Sequence, residues 1–530
     1  MDSTITLTLG GLGVVFVAER LFRQWNTQRK LPPGPAGWPL IGNFKDVTSA
    51  HLTSWEHFLT FKKLYGPISS ITTMGNTVIV LNDAETAEDI LEKRSGATAG
   101  RPRHVVASEM AGFDRTVVFK SYPPDVRTHR KYMAQYLGSN AAVKGFTGPT
   151  DFEARKLLLR LLDEPEAFRD HIRRQAGTQI LKIVYGYNVE PSGDDKLVRL
   201  VETVMGTIFD AVLPGKWLPD AMPILKYVPP WVPGAKVQRL SRDWRAIIGA
   251  FGGVPYGFTK GRMAKNEHED CYVSKHLEEG EPNETTDAVI KWTAAIMYLG
   301  GADTTTAVLA NFILGMAISP EVQRKAQLEI DDKIGRDRLP TIEDRDALPY
   351  VRAIVSEALR WHPVTPLVTP HATTEDIEYR KYVIPKGSTI VPNAWAMTHD
   401  PDYYRDPMSF DPDRYLEARE TPEPDPRKFI FGFGRRICPG RYFAEATLFT
   451  TVANIVSVFR ITKPIKDGKE VDLNPGYKDS MVSAVNEFEV IIKPRHEKSE
   501  SLVRAVERED PFIPGDSTEL DWSQLDGVEW

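Results

Sequence analysis

Apolar and polar residues alternate over residues 68–81 around Gly75 and Asn76, which predicts a strand, a turn and a second strand. Elsewhere the pattern lengthens to the helical period. It predicts a short amphipathic helix over 83–93 and a basic helical stretch over 122–136. Further helices are predicted over 151–187, 197–212, 239–266, 320–334, 348–361 and 442–459. The longest, over 285–318, would run about 50 Å at the usual rise per residue. Prolines interrupt the pattern over 213–234 and hold 363–371 extended. Short strands are predicted over 376–392, and a last strand pair over 474–493 with its turn near 481–484. Residues 103–121 show no clean period, and 267–284 read as a charged link. Beyond Pro494 the chain is polar and acid-leaning without a period, which predicts disorder or surface packing.

The N-terminus changes this picture. Residues 5–18 are apolar and uncharged, Glu19 and Arg20 interrupt, and Leu21 and Phe22 resume. That is short of the roughly 20 apolar residues of a spanning helix, and a signal peptide or an interfacial segment overlaps in length. No basic residue precedes the run, and Arg20, Arg23, Arg29 and Lys30 follow it. This favours an uncleaved anchor with its C-terminal side in the cytosol. Leu31, Pro32, Pro33, Gly34 and Pro35 then form a stiff elbow. The expected organisation is an anchor over 1–22, a basic and proline-rich hinge over 23–43, a globular body over 44–494 and a polar tail over 495–530. The chain has 530 residues, 42% of them hydrophobic, enough for a large core. Its net charge of −6 carries no basic field, so no nucleic-acid partner is expected. Two cysteines, Cys271 and Cys438, make no disulfide framework. Cys271 reads as a spectator in a polar stretch.

Three groups of residues carry candidate chemistry. Cys438 sits in a glycine-rich loop with Phe431, Gly434, Arg436 and Gly440, just before a helical run. The helix N-terminus and the arginines favour thiolate over thiol, for attack on a substrate or for ligating a metal. In the middle of the long apolar helix stand Gly300, Gly301, Ala302, Asp303 and Thr304. Two glycines there cost about 1 kcal/mol each relative to alanine. They predict a local opening of the helix or the close approach of a flat ligand. Asp303 and Thr304 are expensive in an apolar helix unless used. Glu357 and Arg360 share one helix face, and Arg414 is placed to complete a charged triad. Arg427, Lys428, Arg435 and Arg441 predict a positive patch near Cys438.

The run Phe431, Gly434, Arg436, Cys438, Gly440 resembles the haem-ligand loop of the cytochrome P-450 family. The Gly300–Thr304 stretch is similar to that family's oxygen-activation motif, and Glu357, Arg360 and Arg414 to its structural triad. The resemblance covers roughly residues 31–494. It implies one mainly α-helical domain with a small β-region behind an N-terminal membrane anchor, the haem-thiolate catalytic domain being residues 44–494. It implies haem b with Cys438 as the axial thiolate, Asp303 and Thr304 managing protons, and Arg130, His371, Arg436 and Phe431 at the haem. The family has a tryptophan where this chain has Val126, which puts one propionate contact in doubt. The loop over 103–121 would roof the substrate pocket. Electrons would come from NADPH through an NADPH-cytochrome reductase, with cytochrome b5 as a second donor, at the endoplasmic reticulum membrane. The reaction implied is monooxygenation of an apolar small molecule. The chain is similar to fungal enzymes of specialised metabolism, so terpenoid or polyketide tailoring is expected. A haem-thiolate isomerase or peroxide-using enzyme, and a non-catalytic haem or ligand carrier, are the alternatives. The Asp303–Thr304 pair counts against each.

Overall fold

A computed structural model describes residues 30–38, 42–47, 51–73, 75–121, 124–213, 215–279, 283–416, 423–528 and 530. The anchor expected over 1–22 lies outside the described residues, as do residues 23–29 and 39–41 of the hinge. The described chain forms two units, mainly helical in sum.

The smaller unit holds the described residues up to Pro102, then Leu367–Met397 and Phe433–Arg436. Helix α1 (Ser54–Tyr65) is started by a capping box in which Thr53 and Glu56 satisfy each other's backbone N–H groups. Strands β1 (Ile68–Thr73) and β2 (Asn76–Leu81) pair antiparallel, as the alternation predicts, with Gly75 taking a positive φ of 88° between them. Strands β3 (His371–Ala372), β4 (Ile377–Tyr379), β5 (Tyr382–Ile384) and β6 (Thr389–Pro392) follow. The main sheet has the order β1-β2-β6-β3, with β2 and β6 parallel and the other pairs antiparallel. Asp83 caps the short helix Ala84–Ala87, which widens into a π-turn over Glu88–Glu92.

The larger unit holds Arg103–Pro366, Thr398–Gly432 and Ile437–Trp530. Its helices are α2 (Pro124–Leu137), α3 (Thr147–Asp163), α4 (Phe168–Tyr185), α5 (Lys196–Val212), α6 (Lys236–Ala264), α7 (Tyr272–Glu279), α8 (Glu284–Ile318), α9 (Pro320–Lys333), α10 (Pro349–Trp361), α11 (Arg441–Val458) and α12 (Glu497–Glu509). Strands β7 (Phe459–Thr462), β8 (Ile465–Lys466), β9 (Lys469–Glu470) and β10 (Ile491–Pro494) complete it.

Four findings depart from the sequence pattern. The helix read over 151–187 breaks at a turn over Pro165–Ala167, because proline lacks the N–H that would continue the ladder. The stretch read as a charged link contains α7, which buries Tyr272 and Val273, with Cys271 buried just before it. The last strand pair shrinks to one antiparallel bridge, Tyr477 to Val485, closing around the expected turn, while Ile491–Pro494 (β10) pairs with β7 instead. Beyond Pro494, α12 buries Val503 and Val506, spaced three apart on one face, a pattern hidden among charges. The chain after it reaches back: Asp516 accepts from the backbone and side-chain N–H groups of Asn188 at 2.8 and 3.0 Å, and Leu525 is buried.

Helix α8 organises the larger unit. Asn283 caps its start by accepting from the Thr286 N–H at 2.8 Å. Residues up to Ala302 belong to one hydrophobic core with α4, α5, α6 and α7. From Val308 onward the helix belongs to a second core with α3, α9, α10 and α11. Among the described residues it is the one helix long and apolar enough to cross a membrane, yet 72% of its most apolar window is buried in protein.

Candidate functional site

Toward the end of its first core, α8 turns an open face outward. Gly300 is exposed, and Ile296, Asp303 and Thr304 are half-buried on the same face. The ladder itself stays helical throughout, so no local unwinding accompanies the glycines. They do different work. A methyl group at Gly301 would stand 2.8 Å from the Ile180 side chain, so that glycine lets α4 pack close. A methyl group at Gly300 would meet no atom within 4 Å. Thr304 donates its hydroxyl to the Gly300 carbonyl at 2.6 Å. Burial pushes the Asp303 carboxyl up to about 6; Arg173 opposes that shift and Glu202 adds to it.

Cys438 lies in the loop that enters α11. Its N–H donates to the Phe431 carbonyl at 2.7 Å, which folds the loop tightly. From α2, Arg130 donates to the Ile437 carbonyl at 2.6 Å and so braces the residue before the cysteine. The Gly440 N–H and the charges of Arg130 and Arg441 favour thiolate, as the sequence suggests. Burial outweighs them and pushes the thiol up. An unpartnered thiolate is therefore disfavoured here, and a bound cation would reverse the balance. A methyl group at Gly440 also meets open space. A buried thiol that needs a cation, in a loop where Gly440 leaves room beside it, fits a haem iron and its flat macrocycle. Val126 is fully buried in α2.

Glu357, Arg360 and Arg414 meet with their side chains fully buried. Glu357 accepts two hydrogen bonds from Arg360, each at 2.8 Å, and one from the Asp411 N–H at 2.8 Å. Arg414 lies 3.1 Å from its other oxygen. Arg360 also donates to the carbonyls of Thr398, Pro407 and Ser409. Every charge in the group is thus compensated, as burial demands. In the expected positive patch, Arg427 is engaged: it lies 3.2 Å from Glu445 and donates to Asp425 at 3.0 Å.

In the smaller unit, His371 and Arg436 are both buried. The His371 Nδ1 lies 2.9 Å from the Thr98 carbonyl, which can only accept, so Nδ1 carries the proton. Arg436 donates to the Ala99 carbonyl at 2.7 Å. Burial pushes His371 down to about 3, with Arg101 and Arg436 adding to the shift. The ring is neutral between two guanidinium groups, an arrangement suited to a carboxylate. Arg101 was missed in the sequence. It donates to the carbonyls of Thr369 and Pro370 at 3.1 and 2.8 Å, holding the strand that carries His371. Its only sequence signal was a charge beside Gly100 at the edge of an irregular stretch.

The model of the family Cytochrome P450 matches residues 32–488. A cytochrome P450 monooxygenase of Aspergillus oryzae, ppsD, is 41% identical over 91% of this chain and 92% of its own. Cytochrome P450 monooxygenase CLM2 of Gibberella zeae is 40% identical over 92% of this chain and 94% of its own. O-methylsterigmatocystin oxidoreductase of Aspergillus flavus is 36% identical over 98% of each chain.

Proposed function

The chain belongs to the cytochrome P450 family and is a monooxygenase, and from that premise we propose that it performs a tailoring oxidation on an apolar terpenoid or polyketide. The carrying observation is the open face of α8, where a hydroxyl and a carboxyl poised near neutrality stand together in an otherwise buried helix. When bound, the haem supplies dioxygen activation, and thiolate ligation favours O–O cleavage. Cys438 would hold its iron. Arg101 and Arg436 would take propionate charge, with the neutral His371 ring offering Nε2 as a hydrogen-bonding partner.

Proton delivery falls to this chain's own side chains. Thr304 can turn its hydroxyl from the Gly300 carbonyl toward a ligand and accept a proton in return. Asp303, with a pKa of about 6, both gives and takes a proton near neutral pH, the condition for a relay. An isomerase or a carrier has no use for such a pair. Electrons from NADPH would reach the enzyme through a cytochrome reductase, with cytochrome b5 as a second donor and residues 1–22 as an anchor in the endoplasmic reticulum. The Aspergillus flavus relative is named as an oxidoreductase of O-methylsterigmatocystin, which supports a tailoring oxidation here.

Incubation of the full chain in microsomes with a reductase, NADPH and labelled dioxygen tests this reading. Apolar fungal extracts serve as substrates, with mass spectrometry as the readout. One labelled oxygen in a product, lost in Cys438→Ser, is expected. Conversion without label and without NADPH would sink it in favour of the isomerase.

A further inference from the structure

At the N-terminal end of α8 a cavity of about 810 Å³ opens between α6, α7 and the turn that carries Arg115. Its apolar part is made by Met263, Leu277, Ile290 and the buried indole of Trp292. Arg115 lies over that indole at 5.4 Å and Lys291 at 5.7 Å. Among the described residues, neither cation has an ion-pair partner, and both are half-buried. The third cation, Lys260, pairs with Asp287 at 3.1 Å, and Asp287 also accepts from the Tyr256 hydroxyl at 2.6 Å. Glu284, the remaining carboxylate, is exposed at the helix start. His276 is held neutral by burial. The lining therefore carries three cations against two carboxylates, one of them already engaged. Burial, and after it repulsion from Arg115 over the same indole, lowers the affinity of Lys291 for its proton, while Asp287 four residues earlier opposes the shift. Two half-buried cations without a direct ion pair, sharing one already engaged carboxylate, leave room for a further anion.

We propose that this cavity binds a small amphipathic carboxylate, its apolar body against Trp292 and its carboxylate between Arg115 and Lys291. The cavity is separate from the oxidation site. Trp292 precedes Thr304 by twelve residues on α8, about 18 Å along the axis. The bound acid would stiffen the contact between α6, α7 and the start of α8.

Calorimetry on the haem-loaded full chain tests the site, with dodecanoate as probe and saturating imidazole-type inhibitor blocking the iron. One dodecanoate per chain is expected. Dodecanol, which lacks the charge, binds at least about tenfold more weakly. Arg115→Gln and Lys291→Gln each weaken dodecanoate about tenfold and leave dodecanol unchanged. The inhibitor's spectral shift verifies that each variant is folded, and the acid–alcohol comparison on the unaltered chain stands without them. Absence of dodecanoate binding with the iron blocked, equal affinity for acid and alcohol, or full affinity in the folded double variant would each overturn the proposal.

Discussion

At the residue scale, adjacent glycines of α8 give opposite predictions. Gly300→Ala places a methyl group in open space and gains helix propensity, so stability should rise by about 1 kcal/mol in chemical denaturation. Gly301→Ala drives a methyl group against Ile180 and should lower it by about 1–3 kcal/mol. Equal effects would contradict the division of labour. Asp303 gives a pH signature. Its raised pKa means that the folded chain holds a proton the unfolded chain releases. The associated stability is present below the ordinary carboxylate range and lost as pH rises through about 6. Asp303→Asn should therefore be more stable than the natural chain at pH 7.5, with the gap closing toward pH 5. The coupling of NADPH oxidation to product should show an apparent pKa of about 6 that this variant lacks. Thr304→Ala should lower product per NADPH at least tenfold, with hydrogen peroxide, measured by peroxidase assay, accounting for the lost electrons.

At the scale of elements, the Glu357 group joins α10 to the segment carrying Arg414. Glu357→Ala leaves two buried guanidinium groups without their carboxylate and should cost about 3–5 kcal/mol. Loss of the haem absorbance band during purification is the check. The C-terminal segment is equally testable. Val503, Val506 and Leu525 are buried, and their burial stabilises the fold by roughly 5 kcal/mol in sum. Truncation after Pro494 should lower thermal stability and haem retention together; an unchanged melting curve would show that the tail is dispensable. These elements also show what the chain disclosed in advance. Alternation around Gly75 revealed β1 and β2, because strand pairing there is local. The Cys438 loop was legible as a continuous motif. Helix α12 was not, because two valines carry its buried face among charged residues. The partners of Arg101 stand 268 and 269 residues away, so nothing near it in sequence betrays the contact.

At the scale of the whole molecule, the cytochrome P450 family explains why one helix runs through two cores. The positive charge beside Cys438 is smaller than the sequence suggests, since Arg427 is tied to Glu445 and Asp425. Lys428 is exposed and is the better candidate to meet an acidic electron donor. Lys428→Glu should slow reduction by the reductase in stopped-flow experiments, more at low salt than at high salt, and leave thermal stability unchanged.

Helix α8 behaves as a beam carried on two piers. The load is borne where it enters each core, and the span between them carries little. Gly300 lies at the edge of that span, exposed and with open space where a side chain would stand, so it can be exchanged without weakening the supports. A lineage that needs to accept a differently shaped molecule has there a place to experiment at small thermodynamic risk. Changes of the same size at Gly301 or Gly315, where the Ile180 and Phe410 side chains press close, would crack a pier.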